Sequence, residues 1–271
     1  MIGVTGATGN VGGKTARLLA DAGEPTRLLV RDASRAPELP DAEVVGGCDY
    51  ADAKALTEAF AGVTTLFLVS AKEAADRVAQ HRTAVDAARE AGVRHLVYLS
   101  FLAAGPDATF TFARDHHATE QYIKASGLDF TFLRPSLYLE ALVGFPIDGV
   151  IKGPAGQGRC AFVAQDDVAA VAASVLRAPD VHRGRKYDIT GPEAVSLATA
   201  ARLLGVRYVD ETIEDAYASR DVYGAPEWEV EGWVTSYQAI ATGEMSAVSP
   251  TVERATGRAP IGLARFLAER G

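Results

Sequence analysis

Along the first half of the chain, short runs of β-branched and other apolar residues alternate with longer, alanine-rich stretches whose apolar positions recur at helical spacing. This is the pattern of successive βα units that fold into a parallel sheet. The runs predict strands at Ile2 to Thr5, Thr26 to Val30, Glu43 to Val45, Thr65 to Val69, His95 to Leu99 and Phe130 to Leu133. Helices are expected between them at Val11 to Ala22, Asp52 to Phe60, Ala74 to Ala91 and Thr111 to Ser126. Gly23, Gly62, Gly92 and Gly127 each follow an apolar helical stretch, where glycine supplies the stop. Near-continuous apolar strands such as Leu66-Phe67-Leu68-Val69 suit a sheet covered by helices on both faces, so an open, doubly wound α/β sheet is expected.

Beyond Arg134-Pro135 the rhythm changes to a Gly- and Pro-rich stretch from Gly144 to Gly158, a helix opening at Asp166, a strand near Tyr187 to Thr190 and further helices. The expected division is a sheet domain over residues 1–135 and a smaller, mixed C-terminal lobe over residues 136–271, with a later strand and helix able to rejoin the main sheet. Asp166-Asp167 precede an apolar helical run, where an N-cap plus first-turn charge explains them more simply than a catalytic carboxylate pair. Trp228, Trp233 and Tyr237 fall at helical spacing on one face, which a packed helix explains better than an aromatic substrate wall.

The first strand runs into Thr5-Gly6-Ala7-Thr8-Gly9-Asn10-Val11-Gly12-Gly13, with glycines three residues apart at a strand-to-helix junction. In a Rossmann-type fold such a loop cradles a pyrophosphate: the glycines permit the turn, let backbone N–H groups approach and let helix pack on strand, while the helix N-terminus is positive. Gly6, Thr8, Gly9, Asn10, Val11 and Gly12 form the expected contact set, which makes residues 1–135 an NAD(P)-binding domain and residues 136–271 a substrate-binding lobe. The second strand ends in Val30-Arg31-Asp32, where the adenosine ribose should lie. Arg31 favours NADP through its 2′-phosphate, while the adjacent Asp32 keeps NAD possible. Asp49, after the third strand, is placed to accept from the adenine amino group or to shape a turn.

Composition narrows the partners. The formal net charge is −8, with 48% hydrophobic and 23% charged residues, and the mean hydropathy is +0.04. These values describe an ordinary globular protein without the basic surface that nucleic acid or an anionic membrane requires. Cys48 and Cys160 stand far apart without CxxC spacing, so neither a disulfide framework nor a metal site is expected. No apolar stretch approaches the roughly 18 residues of a membrane span, and no signal peptide is read, so a cytoplasmic location is expected.

TGATGNVGG at the start, LLVRD at the second strand, GCDYAD after the third and LVYLS at the fifth resemble the NmrA-like atypical short-chain dehydrogenase/reductases. Within that group the chain is most similar to NADPH-dependent quinone oxidoreductases and triphenylmethane reductases, through Gln80 to Ser100, His116 to Glu140 and Lys186 to Ser196. The resemblance implies an NADP-binding domain and a small lobe, with substrate in the cleft between them. Members of the wider superfamily use Tyr-x-x-x-Lys, whose tyrosine gives a proton to the substrate carbonyl. Counting from Glu120 places Phe112 at the tyrosine position and His116 at the lysine position.

That departure sets the expected chemistry: hydride transfer to a quinone-like, cationic-dye or other conjugated aromatic acceptor, whose delocalised charge makes a dedicated acid less necessary. The alternatives are a non-catalytic NADP sensor and a tailoring enzyme acting on an aromatic biosynthetic intermediate. Doubly wound sheets bind ligands at strand C-termini, so Val69, Ser70, Ser100, Pro135 and Tyr138 are expected around the nicotinamide and acceptor. His116, Ser100 and Tyr138 are the candidate catalytic residues. The competing expectation for His116 is a helix residue facing solvent, and His81 and His95 are read as structural or solvated. A homodimer is a further expectation.

Overall fold

The computed structural model describes residues 1–270. Six βα-type strands open the chain: β1 (Ile2–Thr5), β2 (Thr26–Leu29), β3 (Ala42–Val45), β4 (Thr65–Val69), β5 (His95–Leu99) and β6 (Asp129–Pro135). They are connected through α1 (Asn10–Asp21), α2 (Ala53–Phe60), α3 (Arg77–Glu90) and α4 (Thr111–Ala125). The second half contributes α5 (Leu139–Leu142), β7 (Val150–Gly153), β8 (Arg159–Cys160), α6 (Gln165–Arg177), β9 (Arg185–Ile189), β10 (Val195–Ser196) and α7 (Leu197–Leu203). It closes with β11 (Arg207–Asp210), α8 (Ile213–Ala218), α9 (Glu227–Ala241), α10 (Thr251–Thr256) and α11 (Leu263–Ala268).

The main sheet has seven strands in the order β3-β2-β1-β4-β5-β6-β9, all parallel. The order reverses between β1 and β4, the switch point at which doubly wound sheets open a crevice at the strand C-termini. The expected Rossmann-type fold is therefore present. Gly23, Gly62, Gly92 and Gly127 all take positive φ, from +72° to +82°, in their helix-stop positions.

Each helix covers the sheet through a stripe that its sequence spacing creates. On α1 the buried set is Val11, Gly12, Thr15, Ala16 and Leu19, and on α2 it is Leu56, Ala59 and Phe60. On α3 the stripe is Arg77, His81, Ala84, Val85 and Ala88, so its first two turns bury a cation and an imidazole at the end nearest the strand C-termini. Both sheet faces carry apolar cores. Val4, Leu28, Val97, Val171 and Leu176 belong to one, and Leu66, Leu68, Tyr98, Ile123 and Phe132 to the other.

Two segments of the second half return to this sheet. β9 pairs with β6 from Thr131↔Arg185 to Pro135↔Ile189, and α6 packs beside α1, with Lys14 Nζ 2.6 Å from Asp166 Oδ1. The helix expected to open at Asp166 starts at Gln165 after Ala164, and neither aspartate caps it through a side chain. Asp167, fully buried, instead accepts the Ile261 N–H at 2.7 Å and an Arg258 hydrogen bond, which pins the C-terminal segment. Elsewhere in the second half, β8 with β10 and β7 with β11 form two-stranded pairs around a further apolar core, in which Leu142, Ile151, Phe162 and Ile240 are joined by Phe110 from the first half.

Candidate active site

At the end of β1 the chain turns on Gly6, whose φ of +62° is a left-handed conformation that an L side chain rarely adopts. The Gly9 N–H donates to the Gly6 carbonyl at 2.9 Å and closes the turn. Gly12 passes so close that a Cβ there would lie 2.4 Å from the Gly6 oxygen, so its missing side chain lets α1 start directly against the loop. Gly9 is different: its φ is −94°, and a Cβ would meet only the Gly6 oxygen at 3.3 Å. No side chain caps α1 at Gly9 and no acidic residue stands in its first turn, so the Asn10, Val11 and Gly12 N–H groups lack intrahelical acceptors. Backbone donors without intrahelical acceptors at the positive end of a helix, beside a glycine open on its outer side, fit a dinucleotide diphosphate.

The adenosine end separates the charges that follow β2. Asp32 Oδ1 accepts from the Ser34 hydroxyl at 2.7 Å and the Ser34 N–H at 3.0 Å, and these bonds hold its carboxyl below the usual carboxylate range. Asp32 thereby caps the short turn at Ala33–Arg35, whereas Arg31 is exposed and makes no ion pair among the described residues. Asp49 is exposed and accepts the Ala51 N–H at 2.9 Å, shaping a turn.

Across the switch point, the Thr5 hydroxyl donates to the Phe67 carbonyl at 3.0 Å and accepts the Val69 N–H at 2.9 Å. Tyr50, to which sequence reasoning gave no role, places its hydroxyl 2.7 Å from the Val69 carbonyl and 2.6 Å from Thr5 Oγ1. This pair of side chains pins the ends of β1 and β4 together. Val69 and Ser70 are half-buried beyond that point, and Pro135 is buried at the end of β6. Tyr138 is half-buried, and its hydroxyl makes no hydrogen bond among the described residues. Burial pushes the Tyr138 phenol up in pKa, Glu140 and Glu73 push the same way and Arg77 opposes them, so it stays protonated at neutral pH.

Beneath this edge lies a hydrogen-bonded ring, closed where the Tyr98 hydroxyl comes within 3.4 Å of His81 Nδ1. The Ala71 N–H donates to His81 Nε2 at 2.9 Å, and Arg77 Nε donates to the Ala71 carbonyl at 3.0 Å. His81 Nδ1 is 2.8 Å from Thr119 Oγ1, His116 Nδ1 is 2.9 Å from the Tyr98 hydroxyl, and Arg77 Nη2 is 3.2 Å from His116 Nε2. Arginine can only donate, so His116 Nε2 accepts and Nδ1–H donates to Tyr98. By the same logic His81 accepts at Nε2 and donates from Nδ1 to Thr119, whose own hydroxyl proton goes to the Asp115 carbonyl. Both imidazoles are neutral: burial, reinforced by Arg77, pushes His81 down to about 3 and His116 well below its ordinary value.

His116 is therefore buried rather than solvent-facing, 4% exposed with both ring nitrogens engaged. His81, too, belongs to the ring. Ser100, expected near the nicotinamide, turns its hydroxyl to buried Glu120 at 2.6 Å, and Glu120 also binds Arg134 through two oxygens. An aromatic chain continues outward from His116 through Phe101, Phe110 and Phe112 to Trp228, with ring centroids 5.1 to 6.0 Å apart. Phe112 at the tyrosine position is thus part of a wall and has no proton to give. Trp228, at its end, is separated from Trp233 and Tyr237, which line a cavity of about 660 Å³ in the second lobe together with Phe145, Lys152 and Arg220.

Three buried side-chain polar atoms among the described residues have no partner: Thr26 Oγ1, His95 Nδ1 and Arg77 Nη1. Thr26 and His95 begin β2 and β5, at the opposite edge of the sheet. Arg77 alone belongs to the C-terminal edge. An unpaired buried donor costs roughly 1–3 kcal/mol, and more when it is charged.

Comparison with known proteins agrees with this geometry. Residues 6–179 match the model of a family described as NAD(P)H-binding. An NAD(P)H azoreductase of Xenophilus azovorans is 32% identical over 277 residues, covering 98% of this chain and 96% of the relative. A (4-alkanoyl-5-oxo-2,5-dihydrofuran-3-yl)methyl phosphate reductase of Streptomyces griseus subsp. griseus is 38% identical over 273 residues, covering 95% and 93% respectively. The crystal structure of an NADPH-dependent quinone oxidoreductase from Escherichia coli, in complex with NADPH, superposes with a TM-score of 0.90 at 30% identity, covering 100% of this chain and 99% of that one.

Proposed function

The chain belongs to the NAD(P)H-binding family, in its NmrA-like branch of atypical short-chain dehydrogenase/reductases, and from that premise we propose that it reduces quinone-like or otherwise conjugated, electron-poor acceptors at the expense of NADPH. It is an NAD(P)H-dependent reductase. Bound NADPH supplies the hydride. The Gly6 to Gly12 loop, with Thr8, Asn10 and Val11, holds the diphosphate on backbone donors, and Arg31 takes the 2′-phosphate while Asp32 stays occupied by Ser34. Asp49 shapes the adenine side. Val69, Ser70 and Pro135 line the nicotinamide end, and Tyr138 offers its protonated hydroxyl to the acceptor. His116 and Ser100 act from below, as positioning residues.

The observation that carries this reading is Phe112, wedged between Phe110 and Trp228 where the wider superfamily keeps its proton donor. Without that acid, hydride transfer suits acceptors that spread the arriving charge themselves. The relatives' names share this chemistry: an azo group, a quinone and an unsaturated lactone are all conjugated and electron-poor. The reading keeps the protein in a reducing cytoplasm, with Cys48 and Cys160 as buried free thiols. Incubation with NADPH and a series of benzoquinones and naphthoquinones should oxidise the nucleotide. Tight NADPH binding without oxidation by any conjugated acceptor would replace the reductase with a cofactor sensor.

A further inference from the structure

We propose that the cavity between β7, α8 and α9 is a second ligand site, separate from the C-terminal edge of the sheet, and that it binds a planar aromatic acid. The inference goes beyond the reductase reading and stands or falls without it.

At about 660 Å³ the cavity has the size of a site for a small organic molecule. Its aromatic walls come in two pairs. Phe145 and Tyr237 lie with ring centroids 5.7 Å apart, and Tyr223 meets Trp233 edge-on at 5.8 Å. Gly153 makes room for the first pair, because a Cβ there would overlap the Tyr237 ring. Two cations share the lining with these rings. Arg220 is 9% exposed and held rigidly: Nη1 donates to Glu211, the Ala216 carbonyl and Ser219, and Nη2 donates to the Lys152 carbonyl at 3.2 Å. Its Nε makes no hydrogen bond among the described residues and is not one of the sealed, unpartnered atoms, so this N–H is open to the cavity that Arg220 lines. Lys152, exposed on β7, forms no ion pair and no side-chain hydrogen bond among the described residues. Asp148 is the one acid in the lining, and Glu211 is already bound to Arg220. Positive donors beside aromatic walls select a ligand that has both a π surface and an anionic group. A cationic aromatic would be repelled, and the Arg220 guanidinium already lies 5.3 Å from the centre of the Tyr237 ring.

Helix α9 stands between this cavity and the Phe112 wall. Gly232 faces Phe112, whose ring a Cβ at that position would overlap, and Thr235 Oγ1 accepts the Thr111 N–H at 3.3 Å. Trp233 follows Gly232 directly and so lies about 100° further round the helix. Trp233 and Tyr237, one turn apart, line the cavity, whereas Trp228 packs on Phe112. The aromatic residues of α9 therefore divide between two places. Among the described residues, none at the C-terminal end of β4, β5 or β6 lines the cavity.

The test is calorimetric titration of the full chain, saturated with NADP⁺, with 2-naphthoate and with the neutral 2-naphthamide. One naphthoate per chain should bind with a Kd below about 100 μM, within the reach of a ligand of this size, and roughly tenfold or more tighter than the amide. Lys152→Gln should weaken naphthoate about tenfold while the amide and NADPH affinities stay within about twofold. Tyr223→Ala, at a position 53% exposed, should weaken both aromatics about fivefold. Both substitutions are at exposed positions, so the fold is not at stake. A saturating benzoquinone should leave the naphthoate Kd unchanged. Naphthoate that binds no tighter than the amide, or equally well to both variants, would overturn the site. Displacement of naphthoate by benzoquinone would make the cavity part of the acceptor's own site and overturn its separateness. Because the assay reads binding and no turnover, a wild type that reduces no quinone would leave this result standing, and failure of naphthoate would leave the reductase reading standing.

Discussion

The two halves of the candidate site are built by opposite means. The loop from Gly6 to Gly12 ends in the backbone N–H groups of Asn10, Val11 and Gly12, which lack intrahelical acceptors, and its close turn depends on side chains being absent. The ring beneath Ala71 presents side chains from three separate elements, with Arg77 and His81 on α3, Tyr98 on β5, and His116 and Thr119 on α4. Under the proposed function, the first grips the dinucleotide. The second fixes the chain at Ala71, just beyond the end of β4, and such a network exists only once the sheet and both helices have assembled. Perturbing the outer side of the loop or the exposed Arg31 should therefore change binding while sparing the fold, and perturbing the buried network should tax stability first.

The largest effect belongs to the network. Glu120→Gln leaves Arg134 without its buried carboxylate partner and weakens the Ser100 anchor. Urea unfolding should show a loss of about 3–5 kcal/mol, the usual result of removing one member of a buried pair. A loss below 1 kcal/mol would mean that the pair is no more than a surface contact.

On the loop side, Arg31→Ala should change selectivity without changing the melting temperature, since Arg31 is exposed and makes no ion pair among the described residues. A charge-assisted bond to the 2′-phosphate is worth roughly 1.5–3 kcal/mol, so the preference for NADPH over NADH should narrow by one to two orders of magnitude. Should wild type already bind NADH more tightly in calorimetry, Asp32 would be the ribose ligand.

The ring also has a pH signature. His81 is held neutral with its pKa pushed down to about 3, below the unfolded value of 6.5. Between those values the unfolded chain binds the extra proton, so the stability contribution is complete above pH 6.5 and is lost as pH falls. From pH 7 to pH 5 this one group should cost about 2 kcal/mol, at 1.36 kcal/mol per pH unit. His81→Gln should be less stable at pH 7 and show a flatter decline; an identical decline would place the linkage elsewhere.

The smallest expected effect sharpens the contrast within the loop. Gly9→Ala meets only the Gly6 oxygen at 3.3 Å and should fold normally, yet bind dinucleotide at least tenfold more weakly, about 1.4 kcal/mol. Gly12→Ala drives a Cβ to 2.4 Å from the same oxygen and should instead lower the melting temperature. Equal affinity in Gly9→Ala would remove that glycine from the pyrophosphate contact.

This contrast also explains what could be read from sequence. Thr5 to Gly13 announced its geometry because a turn, a close approach and a helix start are all local, and the apolar alternation placed β1, β4 and β5 to the residue. The ring was not legible. His81 and His116 are 35 residues apart in sequence, the first read as structural or solvated and the second as a site residue, and nothing local shows that Arg77 will be buried on the face of α3 that carries Ala84 and Val85. Tyr50 was missed because its partners, Thr5 and Val69, are 45 and 19 residues away. One signal was available: Arg77 and His81 lie one turn apart on the same stripe as Ala84, Val85 and Ala88, so the helical periodicity that locates the core already included two polar side chains.

The central claim is that hydride transfer here needs no protein acid, because Phe112 stands in the acid's position and the acceptor itself carries the charge. The direct measurement is the ratio of kcat/KM for a benzoquinone to that for an aliphatic ketone with NADPH and wild-type protein. A positioned general acid is worth roughly 10² to 10⁴-fold, so the quinone should be favoured by at least a hundredfold. A ketone reduced as fast as the quinone would contradict the account.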